Sequence, residues 1–146
     1  MTTFLLYATP HFTISQASGY RVPGYVIVEA KSGATALAAF TADEAADLLH
    51  CLTVAEVLVQ ALFEPERIYV MKFGEMVPRV HFHVVPRTAR IGAAYAAEVA
   101  DDPPFNGARL VDWIWNRHAS LGFTDDELAA FVIEARAWLT AHVADA

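Results

Sequence analysis

The hydrophobic residues of this chain recur in two patterns, and each pattern predicts one type of element. Runs typical of strands, either alternating or rich in β-branched residues, occupy residues 11–16, 25–30, 67–73 and 77–87. The apolar run at residues 3–8 is either a further short strand or a tail that packs on a partner. Short connections between successive strand runs predict antiparallel neighbours, so the four longer runs are expected to form two hairpins.

Two stretches have a helix-start motif followed by apolar residues at helical spacing. Thr41 and Glu44 have the capping-box arrangement, in which each side chain bonds the other residue's backbone amide. Thr124 and Glu127 repeat that arrangement. The first helix is expected to stop at Glu64-Pro65, because a proline disfavours helical geometry in the residue before it. The second is expected to run almost to the C-terminus.

The segment after the last strand run has a weaker pattern. Residues 91–100 are alanine-rich and form either a short helix or a mobile loop, and residues 101–107 predict an irregular connection. The order strand, strand, helix, strand, strand and helical tail predicts an α+β fold with an antiparallel sheet of about five strands and a packed helix. We expect one domain over residues 1–146, with a core at about 10–90 and a helical C-terminal extension at about 91–146.

Composition and charge narrow the class of protein. The 146 residues are 55% hydrophobic and 18% charged, which suits one domain with a substantial core. A net charge of -7 argues against a nucleic-acid partner, and the single cysteine, Cys51, excludes an internal disulfide. The sequence shows no signal peptide and no apolar run of about 20 residues, so we expect a cytoplasmic protein without a membrane segment.

The run at residues 77–87 carries the chemistry, because its two faces differ. One face holds Val80, Phe82 and Val84, and the other holds Arg79, His81 and His83. Neighbours on one face of a strand lie roughly 6.5–7 Å apart, so two imidazoles and a guanidinium can converge on one small anion. Pro78 and Pro86 are expected at the ends of this strand, because proline cannot donate a hydrogen bond to the sheet.

Three interpretations of the two histidines are open on the residues alone. His81 and His83 can simply occupy the solvent face of a half-exposed strand. They can bind a metal, but a closed site needs three or four ligands and no cysteine or nearby acidic cluster supplies them, so no metal or other cofactor is predicted. They can also perform nucleophilic catalysis, because a neutral imidazole can attack phosphorus and form a covalent intermediate.

The segment His81-Phe82-His83-Val84-Val85-Pro86-Arg87 resembles the signature of the histidine triad (HIT) family of nucleotide hydrolases and transferases, which often ends in His-x-His-x-x-Pro-Arg. The strand that begins after Pro23-Gly24 and ends near Lys31 is similar to the family's Pro-Gly-His strand. Gly74-Glu75 lies where the family often has Gly-Gln. The resemblance covers roughly residues 12–87, and it implies a HIT-like fold and a homodimer formed through the sheet and the helix.

This resemblance also implies a nucleotide substrate and a role for each matching residue. His81 matches the histidine that attacks the α-phosphate and becomes the phosphohistidine, and His83 matches the one that contacts the phosphate and the leaving group. Arg79 replaces the first histidine of the triad, Tyr25 replaces the histidine of the Pro-Gly strand, and Glu75 replaces the glutamine. The resemblance implies that these three side chains contact the substrate, with Arg79 on the phosphate oxygens.

The family's apolar cleft for base and ribose lies between the N-terminal hairpin and the helix. Ile14, Val26 and Val28 are the residues that could line such a cleft here, and each could equally belong to the core. The three tryptophans of the chain are aromatic enough to build a partner-binding or dimer surface. The function predicted first is hydrolysis of, or transfer from, a nucleotide such as a dinucleoside polyphosphate or a nucleoside phosphoramidate. The alternatives are a nucleotide-binding or regulatory module that has lost catalysis, and a metal-dependent activity through the two histidines.

Overall fold

Five strands form one antiparallel sheet with helices on both of its faces. The computed structural model describes residues 4–143, so Thr3, at the start of the first apolar run, lies outside the described residues. The strands are β1 Leu5–Ala8, β2 Phe12–Gln16, β3 Val26–Ala30, β4 Arg67–Met71 and β5 His81–Arg87, and the helices are α1 Ala42–Phe63, α2 Ala89–Val99, α3 Gly107–Arg117 and α4 Asp125–His142. The strand order is β1-β2-β3-β5-β4, and every pair is antiparallel. The predicted α+β fold is therefore confirmed.

Helices α1 and α4 pack against one face of the sheet. Both begin at a complete capping box, formed by Thr41 with Glu44 and by Thr124 with Glu127, as the sequence predicts. The apolar face of β5 points toward them, and Val80, Phe82 and Val84 join the core on this side. The histidines of β5 consequently face the opposite side of the sheet.

Helices α2 and α3 cover that opposite face. Their buried residues, among them Ile91, Tyr95 and Ile114, form a second apolar cluster with Val85 and Tyr25 of the sheet. The alanine-rich segment is thus helical, which decides between the two alternatives left open by its sequence. The tail after β5 is part of the folded core, because without it one face of the sheet would lie open to solvent.

Strand β5 is shorter at its start than the sequence pattern predicts. It begins at His81 rather than at residue 77. The carbonyl of Val80 still accepts from Ala30, at the end of β3, but its amide donates to Ala34 in the connection after β3. Pro86 lies within the strand, opposite Ile68 of β4. Its missing amide is tolerated there because the pairing with β3 ends at Val84, so Pro86 needs to pair on one side only.

Helix α1 is also long and apolar enough to cross a membrane by length and composition alone. The expectation that no apolar stretch reaches membrane-spanning length is therefore not met by this helix. This is weak evidence for a span, because the core helix of a soluble protein has the same properties. The buried residues of α1, including Leu48, Val54 and Leu58, belong to the core on the α1 side of the sheet, and 28% of its apolar 18-residue window is buried, so the core accounts for part of its apolar composition.

Candidate active site

His81 opens strand β5 and presents one ring nitrogen to solvent space while the other is held by the backbone. Its Nδ1 lies 2.8 Å from the carbonyl oxygen of Arg79. A carbonyl can only accept, so Nδ1 must carry the hydrogen of the neutral ring. Nε2 therefore keeps its lone pair, which is the state that a nucleophilic imidazole requires.

His83 lies two residues further along the same face and is nearly buried, with 9% of its surface exposed. Its ring centroid is 5.2 Å from that of His81. Burial and, to a smaller extent, repulsion from His81 together lower the pKa of His83 from 6.5 to about 4. His83 is consequently uncharged at neutral pH.

Both histidines line a cavity of about 380 Å³. The other lining residues are Tyr20, Phe73, Gly74, Glu75, Met76, Val77 and Trp115. The rings of Phe73 and Trp115 meet edge to face at 5.3 Å, and Tyr20 stacks beside Trp115 at 6.1 Å. Among the described residues that line the cavity, Glu75 is the one acidic side chain, and no lysine or arginine is present. The volume of this cavity is at the lower end of the range for small-molecule sites.

A second cavity of about 500 Å³ lies between the C-terminal end of α1, the start of α2 and helix α4. Arg90 and Glu127 form an ion pair with a 3.1 Å separation among its lining residues. Neither His81 nor His83 reaches it. We place the candidate site at the smaller cavity, because only that one contains an imidazole with a free lone pair.

The three departures from the family pattern lie in different places. Glu75 lines the cavity, as predicted. Tyr25 is completely buried, and its hydroxyl oxygen lies 2.6 Å from Nδ1 of His83. It therefore contacts the histidine without lining the cavity. Arg79 does not line the cavity and lies 3.8 Å from the carboxylate of Glu29, its partner across the β3–β5 boundary. The predicted substrate contact of Tyr25 is therefore wrong, and that of Arg79 has no support in this geometry.

The three apolar residues proposed for a nucleotide cleft are core residues. Ile14, Val26 and Val28 have no exposed surface, and all three pack on the α1 side of the sheet. The histidines face the other side. Strand alternation explains this outcome: Val26 and Val28 lie opposite Val84 and Phe82, whose side chains point away from the cavity.

The aromatic residues of the site were missed at the sequence level. Tyr20 comes from the β2–β3 connection, Phe73 from the β4–β5 connection and Trp115 from α3. Trp115 lies in the tail outside the resemblance, and its helical pattern gives no sign that it approaches residues of β3 and β5. Only the packing of α3 over the sheet brings it to the histidines.

The described residues contain no group of three or more His, Cys, Asp or Glu side chains placed to hold a metal ion. His83 has Tyr25, Tyr20 and Trp115 as neighbours instead. The donor set at the cavity is therefore two imidazoles and the carboxylate of Glu75, without the closed ligand shell of a structural zinc site.

The comparison with family models agrees with this fold and site. Residues 1–90 match the model described as the HIT domain. The match covers more than half of the chain and includes both histidines, so the chain belongs to the HIT domain family. No curated protein sequence matches it.

Solved structures with the same fold are distant in sequence. A HIT-like protein involved in cell-cycle regulation from Bartonella henselae is 17% identical, with a TM-score of 0.59 over 94% of this chain and 87% of that one. A zinc-bound histidine triad family protein from Mycobacterium smegmatis is 14% identical, with a TM-score of 0.60 over 97% and 86%. A hypothetical histidine triad nucleotide-binding protein from Sulfolobus tokodaii is 11% identical, with a TM-score of 0.57 over 99% and 91%. At these identities the likeness supports the fold alone, and it extends over the helical tail.

Proposed function

We propose that this protein is a nucleotide hydrolase or nucleotidyltransferase that uses His81 as its nucleophile. Membership of the HIT family supports a nucleotide substrate. The observation that carries the chemistry is the 2.8 Å contact between Nδ1 of His81 and the carbonyl oxygen of Arg79, which leaves the Nε2 lone pair free on the cavity side of the sheet. The cytoplasmic location expected from the sequence stays a prediction.

The reaction has two steps. Nε2 of His81 attacks the α-phosphorus, a P–N bond forms, and the bond to the leaving group breaks with its electron pair on the leaving atom, which takes up a proton from water. The intermediate is a nucleotidylated imidazole that still carries its Nδ1 hydrogen. Water, or the hydroxyl of an acceptor in a transferase, then attacks the phosphorus and loses a proton to solvent. The P–N bond breaks, and its electron pair returns to Nε2 of His81 as the lone pair. His83 lies beside His81 on the same face and can hydrogen-bond the leaving atom.

The lining of the cavity favours one class of leaving group. Three aromatic rings and the carboxylate of Glu75 surround the space, and the described lining includes no lysine or arginine. Extra phosphates would meet a carboxylate without a compensating cation, whereas a neutral or cationic amine would meet aromatic faces and an acid. A nucleoside phosphoramidate therefore fits this lining better than a dinucleoside polyphosphate does.

One observation favours a second candidate, a nucleotide-binding module with impaired catalysis. Arg79, the cation that replaces the first histidine of the triad, is beside Glu29 rather than in the cavity. Thermal-shift measurements with nucleotides, paired with a hydrolysis assay, separate the two candidates. Stabilisation without product at any pH supports the module, and product supports the enzyme.

The replacement His81→Ala tests the proposed enzyme. We expect the rate of hydrolysis of a nucleoside 5′-phosphoramidate to fall at least about 10³-fold, because a covalent step loses its nucleophile. The thermal midpoint should change little, since His81 is only partly buried. His142→Ala, at an exposed histidine of α4, is the control and should keep the native rate. A His81→Ala protein with the native rate would rule the mechanism out.

A further inference from the structure

His83 is the last member of a chain of three hydrogen-bonded groups that comes from three separate elements. Nε1 of Trp115, on α3, lies 2.8 Å from the hydroxyl oxygen of Tyr25, the residue before β3. The same oxygen lies 2.6 Å from Nδ1 of His83, on β5. Tyr25 has no exposed surface, so water does not compete for its hydroxyl.

The direction of these hydrogen bonds follows from the chemistry of the groups. An indole nitrogen can only donate, so the oxygen of Tyr25 accepts from Trp115. A buried hydroxyl hydrogen needs an acceptor of its own, and Nδ1 of His83 lies within reach. Tyr25 therefore donates to Nδ1, and the ring hydrogen of His83 is left on Nε2.

We infer that Trp115 and Tyr25 are positioning residues that hold His83 in the tautomer with its hydrogen on Nε2. His81, whose Nδ1 donates to a carbonyl, has the opposite tautomer. The two neighbouring imidazoles thus present complementary groups: a lone pair on His81 and an N–H donor on His83. This arrangement gives a nucleophile and a hydrogen bond to the leaving atom from two rings that are both neutral before the attack.

Packing around the chain supports this assignment. The ring of Tyr20 stacks on Tyr25 at 5.0 Å and lies nearly parallel to Trp115 at 6.1 Å, which restrains both donors. The low pKa of His83, about 4, is consistent with a ring that accepts at Nδ1 and stays neutral. The titratable groups around His83 among the described residues are His81 on its own strand, Tyr20 and Tyr25 on the β2–β3 connection, and Glu75 on the β4–β5 connection.

The tautomer is measurable on the full chain without any substrate. Long-range ¹H–¹⁵N correlation spectra of the ¹⁵N-labelled protein at pH 7 report which ring nitrogen of each histidine is protonated. We expect only the Nε2–H form of His83 in the native protein. Trp115→Phe removes the indole donor and Tyr25→Phe removes the hydroxyl, and both variants should give a mixture of the two tautomers. Using two variants keeps the test valid if one of them fails to fold.

Trp113→Phe is the matched control. Trp113 lies on the same helix and is nearly as buried as His83, but its Nε1 has no hydrogen-bond partner within the described residues. That variant should keep the Nε2–H form of His83. The inference is overturned if native His83 has its hydrogen on Nδ1, if both test variants keep a single Nε2–H tautomer, or if the control shifts as they do.

The effect of this tautomer on catalysis rests on the proposed function. The assignment of the tautomer does not depend on that function. In Tyr25→Phe we expect kcat to fall up to about tenfold with KM little changed, because Tyr25 does not reach the cavity and the loss is that of one hydrogen bond. A tautomer shift in a protein that hydrolyses no nucleotide would support the inference and contradict the proposed enzyme. If a variant has a shifted tautomer but an unchanged kcat, the hydrogen bonds from Trp115 and Tyr25 have no catalytic role.

Discussion

The charge state of His83 is set by its place in the fold rather than by its chemistry as a free side chain. Its folded pKa of about 4 lies below the ordinary value of 6.5, mainly because burial disfavours the protonated ring. Above pH 6.5 both the folded and the unfolded chain carry a neutral residue, so its contribution to stability is complete. As the pH falls from 6.5 to 4, the unfolded chain binds a proton first, and stability is lost.

This sign predicts an acid-sensitive stability. Between pH 6.5 and 4 the free energy of unfolding should fall by up to roughly 3 kcal/mol through His83 alone. Denaturant unfolding of His83→Gln over the same range should give a shallower pH dependence, whereas His142→Gln, at an exposed site, should follow the native curve. Equal slopes for the native protein and His83→Gln would show that burial does not control this ring.

At the residue scale, strand alternation was enough to place both histidines on one face, whereas the role that the family signature gives His81 stays a prediction. Alternation failed for Arg79 because strand β5 begins four residues later than the pattern predicts, so this side chain belongs to the preceding loop and lies beside Glu29. Arg87, the last residue of the signature, is buried and pairs with Glu66 at 3.2 Å. Pairings between strands are not encoded in local pattern, so a single sequence does not give them.

At the element scale, the β2–β3 connection determines how Tyr20 reaches the site. The side-chain amide of buried Gln16 donates to the carbonyls of Ala17 and Val22 and accepts from the amide of Gly24. These bonds hold the loop that carries Tyr20, whose ring stacks on Tyr25 and Trp115. Gly24 has a φ of +85°, and a Cβ placed there would lie 2.5 Å from the ring of Phe63.

Gly24→Ala should therefore destabilise the protein by about 2 kcal/mol or more, through the cost of a left-handed backbone and the clash with Phe63. The matched control is Gly33→Ala, where a Cβ would meet nothing within 4 Å and the change should stay within about 0.5 kcal/mol. Chemical denaturation of both variants measures the difference. Equal stabilities would mean that the turn relaxes without cost.

The helices differ in how far the sequence predicts them. The capping boxes and apolar spacing of α1 and α4 were sufficient, because both signals are local. Helix α2 follows a Thr88 cap without a capping box, and α3 follows an Asn106 cap, so alanine content and an irregular connection obscured them. The contribution of α3 to the site depends on tertiary packing, which local pattern does not contain.

At the scale of the whole molecule, one edge of the sheet has the features of an interface. Strand β4 is an outer strand, and exposed apolar residues follow it into the next connection: Val70, Phe73, Met76 and Val77. At the opposite edge, Arg136 of α4 donates to the carbonyl of Leu5 in β1. We propose that a second copy of the chain pairs along β4, because an apolar open edge is otherwise prone to uncontrolled association.

Light scattering after size-exclusion chromatography should give twice the chain mass of 16.0 kDa. Val70→Lys should shift the protein toward the monomer, because a charge on an edge strand opposes pairing. Ile133→Lys, which places the same charge at an exposed apolar position of α4, should leave the dimer intact. A native protein that elutes at the mass of one chain would contradict the dimer.

The central claim is that His81 attacks the α-phosphorus and carries the nucleotide. The most direct measurement is the intact mass of the protein, quenched in base at times shorter than one turnover after mixing with a nucleoside 5′-phosphoramidate. We predict a species heavier by one nucleotidyl group that appears before free product and is absent from His81→Ala. Product formation by the native protein at every quench time without any such species would contradict the claim.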